Sequence, residues 1–266
     1  MSLIVFSHAN SFPASTYGVL FRHLRHRGYT VKALERFGHD ANYPVTNNWP
    51  HLVQELTDYA QREVRCAGTP AWLVGHSMGG FLSLMCAARH PQLARGVVLI
   101  DSPVLGGWRA TTLGMMKRTP LVGALSPGAV SRKRRDHWPN RAEALQYLQH
   151  KKAFAHWDKQ ALADYVGAFI DRGDRVSLPF DREIETAIYN TLPDNLDRLL
   201  RRHPLKCPVA FIGGTRSAEM QQVGMTMTER LVKGRLMMLD GSHLFPMEKP
   251  MAAAAAIEAS LLNMQG

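Results

Sequence analysis

The chain has 266 residues, of which 45% are hydrophobic, enough to bury the core of one α/β domain with room for an insertion. Its formal net charge is +10, yet the basic stretches Arg132-Lys133-Arg134-Arg135 and Arg198 to Arg202 have no aromatics interleaved among the cations. A solvated basic face is therefore expected, and nucleic acid is not expected as a partner. No apolar run is long enough to span a bilayer, so stable membrane insertion is not expected, and Ser2 to Phe6 lacks the basic lead and cleavage site of a signal peptide. Cys66, Cys86 and Cys207 are odd in number and widely spaced, which argues against a disulfide framework or a zinc site and for a reducing, cytoplasmic setting.

In chain order, Leu3-Ile4-Val5-Phe6-Ser7 reads as a buried strand, followed by the loop His8-Ala9-Asn10-Ser11-Phe12-Pro13. Within that loop His8 reads as a structural, hydrogen-bonding histidine. Tyr17 to Arg27 carries apolar residues at Leu20, Phe21 and Leu24 and is closed by Gly28, the pattern of a helix with a glycine cap. Tyr29 to Leu34 is the next strand, and a helix opens at Asn48-Trp49-Pro50 and runs to about Val64.

The short strand Ala71-Trp72-Leu73-Val74 leads directly into Gly75-His76-Ser77-Met78-Gly79-Gly80, and Phe81 to His90 then has helical character up to Pro91. Gly-x-Ser-x-Gly between a strand and a helix is the pattern of a nucleophile elbow, in which a strained turn exposes the serine and small neighbours are needed around it. The alternative is a glycine-rich turn with an ordinary serine; the strand–turn–helix setting favours Ser77 as a nucleophile. The stretch lacks the Gly-Lys-Ser/Thr ending of a phosphate-binding loop.

Gly96 to Asp101 is an apolar strand ending in a carboxylate, and the next comparable strand is Cys207 to Gly214. The long interval holds helix-like pieces at Arg141 to Phe154, Lys159 to Arg172 and Asp194 to Arg202. Arg235 to Leu239 is the last strand, followed by Asp240-Gly241-Ser242-His243 and a closing helix from Pro250. The alanine run Ala252 to Ala256 follows from helix propensity, and no internal repeat is present.

The elbow, the order serine–acid–histidine and the ending after the last strand resemble the α/β-hydrolase family. The resemblance implies a mostly parallel sheet of about six strands with helices on both faces, the family's N-terminal hairpin missing. It also implies a core of residues 1–103 and 206–266 with a helical cap inserted at 104–205. His8-Ala9-Asn10 stands where the family has His-Gly-x, so the backbone N–H groups of Asn10 and Met78 would form the oxyanion hole. Glu35-Arg36-Phe37-Gly38-His39-Asp40 resembles the family's Asp-x-x-Gly-His-Gly loop and is read as architecture. His243 fits the family's Gly-His-x-x-x-x-Glu-x-Pro ending, with Ser242 in place of glycine, and would be the base.

The acid is less direct. The family's Gly-x-x-Asp turn is here Gly214-Thr215-Arg216-Ser217, with serine in the acid position. A subset of the family carries the carboxylate at the end of the strand after the nucleophile helix, where Asp101 stands. Asp101 is therefore expected as the acid with Ser217 as an auxiliary, and Glu219 is the alternative; a strand-end cap at Ser102-Pro103 is the structural reading of Asp101. Trp108, Met115, Met116, Trp138, Phe154, Trp157 and Phe169 are candidates for the substrate pocket. The expected reaction is hydrolysis of a small carboxylic ester, with a medium acyl or aromatic group, through an acyl-enzyme. No metal or cofactor is expected. Thioester, lactone, amide or carbon–carbon bond hydrolysis on the same residues, or a non-catalytic binding protein, remain alternatives, and the oligomeric state stays open.

Overall fold

Runs of β-branched and apolar residues, buried at nearly every position in the central strands, build the sheet. The computed structural model describes residues 2–104, 132 and 134–265. Strands β1 (Ser2–Ser7), β2 (Tyr29–Ala33), β3 (Ala71–His76) and β4 (Ala94–Ile100) are joined by helices α1 (Gly18–His26), α2 (Pro50–Ala67) and α3 (Met78–Arg89). Two later strands, β8 (Val209–Gly214) and β9 (Leu236–Leu239), complete a six-stranded sheet of order β2-β1-β3-β4-β8-β9 in which every pairing is parallel.

A parallel sheet covered on both faces needs apolar residues at successive positions, not only alternate ones. Ile4, Phe6, Trp72, Val74, Val98, Ile100, Ala210 and Ile212 face one core, which α1 and the C-terminal helix Pro250–Asn263 cover. Leu3, Val5, Leu73, Val97, Leu99, Val209 and Phe211 face the other, beneath α2 and α3. Parallel strands also gather their C-terminal ends on one edge, where loops carrying functional side chains converge.

The interval between β4 and β8 is only partly helical. Helices Arg141–Gln149, Lys159–Gly167, Arg182–Asn190 and Leu196–Arg202 are present, together with a small antiparallel sheet of β5 (His137–Trp138), β6 (Ile170–Asp171) and β7 (Val176–Ser177) in the order β5-β7-β6. The continuous helix expected to Arg172 stops at Gly167 because Ile170 and Asp171 turn back to pair with Ser177 and Val176. The turn between them uses Gly173 at φ +89°, whose N–H is accepted by the Asp171 side chain. Trp138, Leu162, Tyr165 and Phe169 pack into the α1 side of the molecule, while Phe180, Ile188, Leu196 and Leu199 join the α2–α3 side. Among the described residues no helix is long and apolar enough to cross a membrane.

Candidate active site

The chain turns from β3 to α3 at Ser77, which has φ +54° and ψ −118°, a conformation L residues rarely adopt. The turn is held from several sides: Ser77 N–H donates to Ile100 O at 2.9 Å, Gly80 N–H donates to Ser77 O at 3.0 Å, and the Ser102 hydroxyl donates to the same carbonyl at 2.9 Å. The surrounding glycines are needed for closeness. A Cβ on Gly79 would overlap the backbone carbonyl of Ser7, one on Gly75 the backbone of Gly79, and one on Gly80 the Ser102 side chain. So β1 and the elbow are packed backbone to backbone, and the Ser102 side chain just after β4 closes on the elbow at Gly80.

Asp101 follows β4 directly and is 1% exposed, with φ +45°. Its Oδ1 accepts the Gly214 N–H at 2.8 Å, and its Oδ2 accepts both the Ser217 hydroxyl and His243 Nδ1–H at 2.5 Å each. The structure thus brings Asp101, Ser217 and His243 together. Glu219 stands beside them, with Oε2 at 3.8 Å from His243 Nδ1 and 3.3 Å from the Ser217 hydroxyl, but it is half exposed. Burial works to lower the His243 pKa; the hydrogen bond to Asp101 and the charges of Glu219 and Asp101 outweigh it and raise it above the ordinary value.

Asp101, Glu219 and His243 each offer a potential ligand atom, all within 4.8 Å of one another. In the geometry present, His243 Nδ1 carries its hydrogen toward Asp101 and so has no lone pair for a cation. Both Asp101 oxygens are likewise engaged by protein donors. This donor set suits a carboxylate–imidazole pair better than a metal centre.

A second, fully buried histidine ties the elbow to its neighbours. His76 Nε2 lies 2.9 Å from the backbone carbonyl of His243, so it must carry hydrogen, and Nδ1 must then accept the Tyr17 hydroxyl at 2.7 Å. Tyr17 in turn accepts the Ala9 N–H at 3.1 Å. Burial, then the neighbouring His243, hold the His76 pKa well below the ordinary value, so the ring is neutral. Tyr17 was not among the residues singled out from sequence, where it reads only as the start of α1. His8 is also neutral: its Nε2 accepts Phe37 N–H at 3.1 Å, its Nδ1–H points to Ala9 O at 2.8 Å, and burial lowers its pKa to about 4.

The loop after β1 is fastened from the interval between β4 and β8. Asn10 donates its side-chain amide to Glu185 O at 3.1 Å, and the Ser11 hydroxyl donates to the Glu185 carboxylate, whose other oxygen lies 2.7 Å from Arg134. Among the described residues the Asn10 N–H has no acceptor. Met78 N–H sits at the first position of α3, ahead of any intrahelical acceptor. Helix Arg182–Asn190, which presents Glu185, was also missed from sequence. Its signal was there: Asp181 caps the Glu183 N–H, and acids occupy the first turn.

A cleft of about 630 Å³ opens at this edge, with Asn10, Ser77, Tyr189, Glu219 and His243 in its lining. Trp138 and Trp157 do not line it. Trp138 packs against Tyr147 and Phe169, and Trp157 against Phe12, Phe154 and Tyr165, so both large indoles sit in a buried aromatic cluster. Phe154 and Phe169 belong to the same aromatic cluster. Trp108, Met115 and Met116 lie outside the described residues.

A parallel sheet in this order, with a strained serine turn after its third strand, defines a hydrolase class of fold, and the comparison with known sequences agrees. The profile of the alpha/beta hydrolase family matches residues 4–257, and the chain belongs to that family. It is 24% identical to a serine hydrolase-like protein of Dictyostelium discoideum over 90% of this chain and 69% of that protein. It is 24% identical to a monoglyceride lipase homolog of Monkeypox virus over 60% of this chain and 62% of that one. Among solved structures, E-2-(acetamidomethylene)succinate hydrolase superposes with a TM-score of 0.70 at 21% identity, covering 98% of this chain and 91% of that one.

Proposed function

We propose that the protein is a serine hydrolase that cleaves a carboxylic ester with a medium acyl or aromatic group. Ser77 is the nucleophile, His243 the general base and Asp101 the acid that orients it, with Ser217 as an auxiliary hydrogen-bond donor to Asp101. The observation that carries this reading is the 2.5 Å bond between His243 Nδ1 and buried Asp101, with His243 and Ser77 lining one cleft. An imidazole held at Nδ1 by a carboxylate presents Nε2 as a base.

In the reaction, Ser77 Oγ attacks the ester carbonyl carbon while His243 Nε2 takes the hydroxyl proton. The Asn10 and Met78 N–H groups receive the oxyanion, and their lack of acceptors among the described residues supports this assignment. His243 then gives its proton to the departing alcohol. Water, deprotonated by the same nitrogen, attacks the acyl-enzyme and releases the acid. Asp101 remains ionised and stabilises the imidazolium throughout. We read the interval 104–205 as a cap on a core of 1–103 and 206–266, supported by Lys152, His156 and Tyr189 reaching the cleft. The lipase name of the viral relative favours an ester over the other bonds open to this set of residues.

Treatment with a fluorophosphonate probe, followed by intact mass, tests the reading. One adduct, lost in Ser77→Ala, is expected, and an ester panel graded by acyl length then fixes the preference. Absence of any adduct overturns the proposal in favour of a binding protein.

A further inference from the structure

Helix α3 leaves the elbow at Met78 and ends at Arg89, roughly 17 Å further along its axis. At that far end Arg89, Arg198, Arg202 and His203 line a second cavity of about 300 Å³, together with Leu199 and Asn195. No carboxylate is part of this lining, and all four basic side chains are exposed. Among the described residues none of the three guanidinium groups has a hydrogen-bond or ion-pair partner. The acid nearest in sequence, Asp197, is turned to Arg201 at 2.5 Å.

Ordinary helix electrostatics explain only part of this. Arg89 and Arg202 lie in last turns, where a cation is favoured by the helix dipole. Arg198 is near the start of Leu196–Arg202, where the dipole disfavours it, and its spacing of four residues from Arg202 sets like charges on one helix face. Asn195 also lines the cavity; its buried side-chain oxygen has no hydrogen-bond partner and, as an acceptor, suits a donor on the rest of the ligand and not the phosphate itself. Three unpaired guanidinium groups around a concavity match the oxygens of a phosphate, which accepts forked hydrogen bonds and removes the mutual repulsion.

We propose that this cavity binds a phosphate-bearing small molecule, with the phosphate held by Arg89, Arg198 and Arg202. The size of the cavity, at the lower end of the range for small-molecule sites, suits a compact ligand. The site is independent of the Ser77 chemistry and lies at the opposite end of α3 from it.

Calorimetric titration of the full chain with inorganic pyrophosphate, at ionic strength held constant with potassium chloride, tests the proposal. One saturable site is expected. Arg198→Gln and Arg202→Gln should each weaken it about tenfold or more, whereas Arg175→Gln in the β6–β7 turn should leave it unchanged. These are exposed positions, and an unaltered thermal midpoint in each variant verifies the fold. Non-saturable heats, or equal weakening in Arg175→Gln, overturn the site. A parallel arm uses phosphatidylcholine vesicles with and without phosphatidate. Binding only to phosphatidate vesicles, lost in Arg198→Gln and with no pyrophosphate site, places the phosphate on a lipid surface and overturns the small-molecule ligand.

Discussion

His76 holds the main chain of His243: its Nε2–H donates to the His243 carbonyl at 2.9 Å while its Nδ1 accepts the Tyr17 hydroxyl at 2.7 Å. The residue before the elbow serine thus fixes the loop that carries the other cleft-lining member of the proposed triad. Tyr17 extends the chain to Ala9, next to Asn10. One buried, neutral network therefore links three loops whose relative placement decides whether attack, proton transfer and oxyanion binding coincide.

Replacing His76 by leucine removes both bonds: the His243 carbonyl loses its donor, and the Tyr17 hydroxyl keeps the Ala9 N–H but loses the acceptor for its own hydrogen. Each such loss costs about 1–3 kcal/mol. The rate of fluorophosphonate labelling at Ser77 should fall by about tenfold or more, since small displacements of the base are amplified in the rate. His76→Gln keeps one donor and one acceptor and should recover part of that rate. Equal rates in His76→Leu and the parent protein would show that the network does not position the base.

Asp101 and Glu219 compete for the assignment as acid, and separate substitutions distinguish them. Asp101→Asn should lower kcat/KM by about 10³-fold or more, because it removes both the orienting acceptor and the buried charge opposite the imidazolium. Glu219→Gln should leave kcat near its parent value and shift the acid limb of the pH profile downward. The sign follows from the raised His243 pKa: the Glu219 charge favours the protonated ring, so its removal frees the base at lower pH. A full loss in Glu219→Gln with an active Asp101→Asn would reverse the assignment.

The sheet and elbow were readable because their constraints are local. A buried parallel strand demands consecutive apolar residues, and the strained Ser77 turn demands glycine where backbones touch. His243 stands out by its neighbours in sequence and Asp101 by its place at a strand end, and the structure brings these two candidates within hydrogen-bond distance. Tyr17 was not, since a phenol that bridges Ala9 to His76 leaves no spacing pattern in the chain. The two-residue strands β5, β6 and β7 are too short to show alternation. Trp138 and Trp157 looked like pocket residues because burial inside a cap and exposure to a ligand demand the same apolar side chain.

Close packing at the elbow gives a stability prediction. A methyl group at Gly79 meets the Ser7 carbonyl, a main-chain group inside a paired strand that cannot rotate away. Gly79→Ala should therefore destabilise the fold by about 1–3 kcal/mol or more and lower the thermal midpoint. Gly167→Ala is the control, because a Cβ there meets nothing within 4 Å. Alanine at Gly167 should be neutral or slightly stabilising through helix propensity. Similar midpoints in the two variants would contradict the backbone contact between α3 and β1.

Acid sensitivity follows from the buried histidines. His8 and His76 are both held in the neutral form chiefly by burial, His8 at a pKa of about 4 and His76 well below the ordinary value, and His39 and His90 are shifted in the same direction. An unfolded chain takes up protons on His8 and His76 as pH falls through about 6.5, while the folded chain does not. Stability should therefore decline from neutral pH toward pH 5. Glu55 opposes this: burial raises its pKa to about 7, so the folded state binds its proton earlier than the unfolded state does. His243, raised, opposes it as well, but only near its own titration. The two deeply buried rings, His8 and His76, against the one carboxyl of Glu55 leave the unfolded state as the net proton acceptor below pH 6. Denaturant melts at pH 7.5 and 5.5 should show a lower midpoint at 5.5, and Glu55→Gln should steepen the dependence because the opposing carboxyl is gone. A midpoint that rises on acidification would mean that at least one of the two buried rings is charged in the native protein.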